Sequence, residues 1–94
     1  MSKPILINVT EEIVLGLVRF LLHSPGYQTF CDCEYCQMAI CSVALNNLPT
    51  YYVSTSDARE EAYLTLKTQE NLEVINKKII AAIHEVGKKA NHTI

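Results

Sequence analysis

The sequence predicts a small, mostly α-helical domain of about three to four helices with one cysteine-rich loop. This prediction rests on three features of the chain. Apolar residues recur at helical spacing in several long segments. No two alternating segments of similar length are evident, so there is little from which to build a sheet. All four cysteines fall within eleven consecutive residues, 31–41, after the first helical segment.

The first predicted helix begins at Asn8, a good N-cap residue, and Glu11 three residues later completes a capping-box pattern. Its apolar residues are Val9, Ile13, Val14, Leu15, Leu17, Val18, Phe20, Leu21 and Leu22. So wide a stripe indicates a helix that is buried on two sides. The Ser24-Pro25-Gly26 segment predicts that this helix ends near His23.

The second predicted helix runs from about Glu34 to Asn47, directly after the cysteine-rich loop. Its candidate inner face consists of Met38, Cys41, Ala44, Leu45 and Leu48. The helix is predicted to close at Leu48-Pro49, because a residue that precedes proline is pushed out of the helical region. Residues 51–53 then read as a short extended piece.

The segment from Glu60 to Lys67 fits two structures. Every second residue from Ala62 to Leu66 is aliphatic, which suits a short strand near 60–66 that pairs across a dimer axis. Ser56 or Asp57 could instead cap a helix over the same residues. Because a strand needs a partner and no second strand of similar length is evident, a helix is the favoured structure.

The last predicted helix has the clearest periodicity in the chain. Its buried face consists of Leu72, Ile75, Ile79, Ile83 and Val86. Gly87, followed by Lys88 and Lys89, predicts the end of this helix. Glycine can adopt the left-handed cap conformation, and lysines interact favourably with the negative pole of a helix.

The chain's 94 residues suit one domain, 1–94, and we expect flexible ends at 1–7 and 88–94. Apolar residues make up 49% of the sequence, a high load for a short helical chain, so we predict a homodimer that shares apolar surface. The net charge of −2 makes nucleic acid an unfavourable partner. The apolar runs are too short for a membrane span or a signal peptide, which predicts a cytoplasmic protein.

The cysteine cluster is the strongest candidate for a functional site. Cys31, Cys33 and Cys36 form a C-x-C-x-x-C pattern, and Cys41 follows five residues later. Four thiolates match the ligand preference and the tetrahedral geometry of Zn²⁺. We therefore predict one structural zinc per chain, held by Cys31, Cys33, Cys36 and Cys41, with no catalytic residue and no other cofactor.

The fourth ligand is the open point of this prediction. Cys36 and Cys41 lie about 140° apart around a regular helix, so both can bind one metal only if Cys36 precedes the helix or lies at its start. The alternatives for the fourth position are His23, His84, Glu34 or a water. Inert packing, a disulfide, a C-x-x-C redox pair and an iron–sulfur cluster compete with zinc and rank below it.

The stretch from Cys31 to Val53 resembles the ComFB family of late competence development proteins, in its Bacillus type. The resemblance is carried by the C-x-C-x-x-C pattern, by Ala44-Leu45-Asn46-Asn47-Leu48-Pro49 and by Tyr52, and it extends over residues 8–86. It implies a mostly helical fold and no catalytic activity. The family takes its name from late competence, and the resemblance implies that the gene lies beside genes for DNA uptake.

The chain departs from the family pattern in two places. Ala39 stands where many relatives have an aspartate, so Cys41 could replace that carboxylate as a metal ligand. Thr50-Tyr51 stands where relatives often have Pro-Arg, which removes an arginine from a candidate anion site.

The resemblance implies a non-catalytic accessory or interaction protein, associated with late competence, that binds a protein partner. Some members of the family are receptors for cyclic dinucleotide second messengers, which gives the alternative function. That hypothesis requires a dimer cleft with cationic and aromatic groups, for which the candidates are Arg19, Tyr51, Tyr52 and Arg59.

Overall fold

Four helices dominate the chain in the computed structural model, which describes residues 4–89. A short two-stranded antiparallel sheet accompanies them. In chain order the elements are β1 (Ile7–Asn8), α1 (Val9–Leu22), α2 (Glu34–Asn46), β2 (Tyr52–Val53), α3 (Ser56–Leu66) and α4 (Gln69–Lys89). A single 3-10 turn, Pro25–Tyr27, lies between α1 and α2. The predicted mostly helical fold is confirmed.

The core lies among α1, α2 and α4, with α2 packed against both of the other helices. Its buried residues are Val9, Ile13, Val14, Val18, Leu22, Ile40, Cys41, Ala44, Leu48, Val53, Ala62, Ile75, Ile79, Ala82 and Ile83. Each fully buried aliphatic side chain contributes about 1.5–3 kcal/mol relative to exposure. This packing fixes the N-terminal end of α2, which carries the cysteine cluster, against the C-terminal half of α4.

The start of α1 is held by a distant segment rather than by a capping box. Asn8 occupies the N-cap position, but its side chain makes no hydrogen bond to its own helix. Its Oδ1 accepts a hydrogen bond of 2.9 Å from the backbone N–H of Tyr51, and Val9 N–H donates to Tyr51 O at 2.8 Å. The predicted capping box was therefore wrong, because the pairing of β1 with β2 brings Tyr51 to the Asn8 side chain.

The ambiguous segment is helical, as favoured, because it belongs to α3. The cap is Thr55, whose Oγ1 accepts a hydrogen bond of 3.1 Å from Ala58 N–H, and not Ser56 or Asp57. α3 fully buries only Ala62 and leaves Leu64 76% exposed. So narrow a buried face explains why its apolar pattern resembled that of a strand.

α4 is helical through Gly87 to Lys89, so the predicted glycine cap at Gly87 was wrong. No glycine among residues 4–89 has a positive φ, so Gly87 does not form a left-handed cap. A Cβ atom at Gly87 would lie 2.7 Å from Cε1 and 2.9 Å from Cδ1 of Phe30. The glycine leaves room for an aromatic ring instead of ending the helix.

The predicted flexible ends fall partly outside the described residues, since 1–3 and 90–94 are not described. Within the described part, Ile7 pairs with Val53 in the small sheet, and Lys88 belongs to α4. No helix formed by residues 4–89 combines the length and the apolar character needed to cross a membrane.

Candidate metal centre

Three cysteines come together where the loop enters α2. Cys31 and Cys33 precede the helix, and Cys36 lies in its first turn. Their Sγ atoms all lie within 4.8 Å of one another. Sulfurs bound at 2.3 Å to one tetrahedral zinc ion are separated by about 3.8 Å. Small side-chain rotations therefore bring the three sulfurs to ligating positions, and this donor set fits Zn²⁺.

The backbone at the start of α2 prepares one of these sulfurs to carry negative charge. Cys33 is the N-cap residue, and its Sγ accepts a hydrogen bond of 3.5 Å from Cys36 N–H. That hydrogen bond, together with one to the Cys31 side chain, lowers the pKa of Cys33. The positive pole of α2 acts in the same direction. The thiolate, which is the form that binds a metal, is thus favoured at Cys33.

Cys36 has the opposite tendency. Burial, followed by hydrogen bonds to the Cys31 and Cys33 side chains, raises the pKa of Cys36 to about 12. Its thiol therefore stays protonated at neutral pH when no cation is bound. A divalent cation at the cluster would favour the thiolate and release the proton.

Aromatic and aliphatic side chains close the inner side of the cluster. The Phe30 ring meets the His84 ring edge-on at a centroid distance of 5.3 Å, and it lies 5.8 Å from the Tyr27 ring. A small space behind Cys31 and Cys36 is lined by Phe30, Ile40, Ile83, Val86 and Gly87. The loop is thus seated on the last turns of α4.

Cys41, the fourth predicted ligand, is not part of the three-sulfur group. It is only 4% exposed and belongs to the hydrophobic core. Because both Cys36 and Cys41 lie inside α2, the 140° between them directs their side chains to different sides of the helix. Burial raises the pKa of the Cys41 thiol, as expected for a cysteine that packs in a core.

The other candidates for a fourth ligand also lie outside the group. His23 Nδ1 donates to Arg19 O at 2.7 Å, while its Nε2 lies 3.5 Å from Asp32 Oδ2. His84 contacts the Phe30 ring, and Glu34 is an exposed residue in the first turn of α2. All four cysteines are free of disulfides.

The residues predicted for an anion site do not converge within one chain. Arg59 donates two hydrogen bonds to the Glu12 carboxylate, at 2.8 and 2.9 Å, which occupies its guanidinium. Tyr51 and Tyr52 lie beside the start of α1, whereas Arg19 is in its last turn, about 15 Å away along the helix axis.

Two features of the site were missed in the sequence. Phe30 immediately precedes a candidate ligand, and Gly87 interrupts a strongly periodic helix without ending it. Outside the site, the ion pair between Glu12 and Arg59 was also not predicted, because these residues are 47 positions apart in the chain. For the contact between Phe30 and Gly87, the only signal in the sequence was a glycine late in a periodic segment. That glycine was interpreted as a helix cap instead.

The fold and the site together define a small α-helical domain with a thiol cluster at the start of its second helix. The model of the late competence development protein ComFB matches residues 7–90, so the chain belongs to the ComFB family. This confirms the resemblance noted in the sequence. No curated protein matches the chain in sequence.

A solved structure shows the same fold. It is that of the late competence protein ComFB from Bacillus subtilis, which is similar at a TM-score of 0.72 and covers 93% of each chain. The sequence identity is 19%. At this sequence identity the similarity establishes a shared fold and does not extend to the residues of the site.

Proposed function

We propose that this chain is a non-catalytic, zinc-binding, homodimeric accessory protein associated with late competence, in which one Zn²⁺ per chain stabilises the fold. The observation that carries this proposal is the group of three Sγ atoms within 4.8 Å of one another at the start of α2. The family supplies the association with competence.

The ligand chemistry favours zinc in a structural role. Thiolates are soft ligands, and a closed set of cysteines is typical of structural zinc, whereas catalytic zinc keeps an open position. The group contains neither histidine nor carboxylate, and apolar residues close its inner side. Bound zinc would pin the loop to α2 and add directly to the folding free energy.

Three ligands are proposed as a fixed set, Cys31, Cys33 and Cys36. The fourth position was predicted to be Cys41, which can take it only if its sulfur leaves the core between α1 and α2. A water in the fourth position would leave the open site that is typical of catalytic zinc, so the proposed structural role requires a fourth protein donor. The metal chemistry requires reduced thiols, which supports a cytoplasmic location.

A homodimer is proposed because large apolar side chains remain uncovered on the single chain. These are Leu6, Phe20, Tyr35, Met38, Tyr51, Tyr52, Leu64 and Val74. An open groove of about 460 Å³ between α1, α3 and α4 adds Leu17 and Leu72 to this surface. Light scattering should give 21.2 kDa, twice the 10.6 kDa of the chain; a mass of 10.6 kDa at micromolar concentration contradicts the dimer.

Elemental analysis combined with native mass spectrometry tests the metal site directly. The purified protein should contain one zinc per chain, and its Cys31, Cys33 and Cys36 thiols should resist alkylation until a chelator is added. A variant in which these three cysteines are serine provides the control and should contain none. A wild-type protein without zinc, whose thiols react at once, contradicts the proposal.

The alternative function, a receptor for a cyclic dinucleotide, keeps one supporting observation. Tyr51 and Tyr52 are neighbours with exposed rings, at 37% and 59%, that could stack on bases. Against it stands the pairing of Arg59 with Glu12. Calorimetry with cyclic dinucleotides distinguishes the two functions, and the absence of binding at high micromolar concentration removes this alternative.

A further inference from the structure

We propose that Phe30 and Gly87 form a positioning contact for the metal loop, residues 23–33 between α1 and α2. The Phe30 ring occupies the space that a side chain at residue 87 would fill, and it thereby holds Cys31 at the cluster and links metal binding to the last turns of α4. This inference rests on the zinc site proposed above.

The Phe30 ring lies very close to the backbone of α4 at Gly87. A Cβ atom at residue 87 would lie 2.7 Å from Phe30 Cε1 and 2.9 Å from Cδ1, closer than carbon atoms can pack. Gly87 has no positive φ, so its backbone conformation does not require glycine. Glycine inside a helix lowers helix stability, and the space for the ring is the structural reason for it here.

The ring is held from two further sides. Its edge contact with His84 places the centroids 5.3 Å apart with the planes at 85°, which is a favourable aromatic geometry. Tyr27 lies on another side, at 5.8 Å, and Tyr27 O also accepts a hydrogen bond of 3.1 Å from Phe30 N–H. A methyl group at residue 87 would therefore displace the ring from this position.

Displacement of Phe30 reaches the metal cluster through one peptide bond. Consecutive Cα atoms are held about 3.8 Å apart, so Cys31 has to follow a shift of the Phe30 backbone. Both residues also line the small space shared with Cys36 and Val86. Residues that orient metal ligands typically change metal affinity by about 10–100-fold when they are altered.

The contact also couples the metal to the end of α4. Phe30 touches this helix at two positions one turn apart, His84 and Gly87. A loop fixed by zinc would keep the ring in place and protect the backbone amides of residues 83–89 from opening. Loss of zinc releases the loop, so hydrogen exchange of these amides should become faster.

The test measures the rate at which the zinc-loaded full chain releases its metal to a chromogenic chelator. Gly87→Ala should release zinc about tenfold faster than the wild type. Gly16→Ala is the matched control, because it is the same substitution within a helix and its Cβ meets no atom within 4 Å. It should behave as the wild type does. Adding Phe30→Leu to Gly87→Ala makes room for the methyl group and should recover much of the slow release.

Hydrogen exchange supplies a second readout on the same proteins. Zinc should slow the exchange of amides 83–89 in the wild type and in Gly16→Ala, and should slow it much less in Gly87→Ala. If Gly87→Ala does not fold, Phe30→Ala removes the ring without adding a methyl group to α4. That variant should release zinc faster by a similar factor.

The outcomes separate this inference from the zinc proposal. A wild type that holds zinc and a Gly87→Ala variant that releases it at the same rate overturn the inference alone. A double variant that recovers nothing overturns it as well. A wild type that binds no zinc overturns the proposed function, and the positioning role falls with it.

Discussion

Cys33 combines two roles that are usually separate. As the N-cap of α2 it accepts a hydrogen bond from Cys36 N–H, and as a member of the three-sulfur group it faces the candidate metal position. The hydrogen bond that caps the helix also stabilises the thiolate needed for a metal. The helix cap and the candidate metal site therefore share one sulfur atom.

Cys33→Ser separates these roles. Serine is a good N-cap, so the start of α2 should survive, whereas a hydroxyl is a poor substitute for a thiolate ligand of zinc. We expect the variant to lose zinc and to melt at a lower temperature than the zinc-loaded wild type. Elemental analysis and thermal unfolding followed by circular dichroism measure both effects. An unchanged melting curve after complete loss of zinc would contradict a structural role for the metal.

Cys41→Ala tests the fourth ligand. Because Cys41 packs in the core, we expect the variant to retain one zinc per chain and to lose about 1 kcal/mol of unfolding free energy from the small cavity. Zinc content and denaturant unfolding are the measurements. Loss of the metal in this variant would restore Cys41 as a ligand and would show that the loop and α2 rearrange when zinc binds.

At the scale of secondary-structure elements, sequence patterns located the helices better than their ends. The periodicity of α1 and α4 reflects a buried face, and burial is the dominant force, so these helices could be predicted. The position of α2 was also predicted, but its inner face was partly wrong, because Met38 is 45% exposed and Ile40 is buried instead. Their ends depend on contacts that a local pattern does not contain. Asn8 bonds to Tyr51, and Gly87 makes room for Phe30.

The cap of α3 gives a prediction at this scale. Thr55→Ala removes the Oγ1 that accepts a hydrogen bond from Ala58 N–H. We expect a loss of about 1 kcal/mol in unfolding free energy, measured by urea denaturation. Thr55→Ser keeps the acceptor oxygen and should lose much less. Equal losses in the two variants would contradict the capping role.

The ion pair between α1 and α3 predicts a pH dependence. Hydrogen bonds from Arg59, and then its charge, hold the pKa of Glu12 below its usual value of 4.5. A lowered carboxyl pKa contributes stability that is fully present above pH 4.5 and is lost as the pH falls through the folded-state value. Because 29% of the Glu12 side chain remains exposed, the effect should be modest.

Glu12→Gln provides the comparison for this prediction. The melting temperature of the wild type should exceed that of the variant by a constant amount above pH 4.5, and the difference should shrink as the pH is lowered further. The measurement uses metal-free, reduced protein, so that proton competition at the cysteines does not contribute. A difference independent of pH would contradict the ion pair as its cause.

At the scale of the whole molecule, three helices enclose the core. The metal loop connects α1 to α2 and packs against α4. The loop starts after α1, seats Phe30 on α4 and ends at the N-cap of α2. Chelation should therefore act on more than the loop. We expect removal of zinc to lower the melting temperature of the whole chain in one cooperative transition, as seen by calorimetry.

Local loss of structure is the contrasting outcome. If chelation makes only residues 27–36 exchange hydrogen faster and leaves the melting temperature unchanged, the metal orders a loop without stabilising the domain.

The candidate site shows how far the sequence reaches. The C-x-C-x-x-C spacing predicted that three cysteines come together, because a tight turn and the start of a helix have few geometries. Cys41 has the same side chain and lies within the same eleven residues. Only the direction of its side chain, set by the packing of α2 on α1, distinguishes a core residue from a ligand.

The pairing of Asn8 with Tyr51 also bears on the order in which the chain folds. These residues are 43 positions apart, and their contact forms the N-terminal end of α1. Closing so long a loop costs entropy that is recovered only when β1 and β2 are paired. We therefore expect the turns in the middle of α1 to form early by local contacts and its first turn to form late, once α2 has brought β2 alongside.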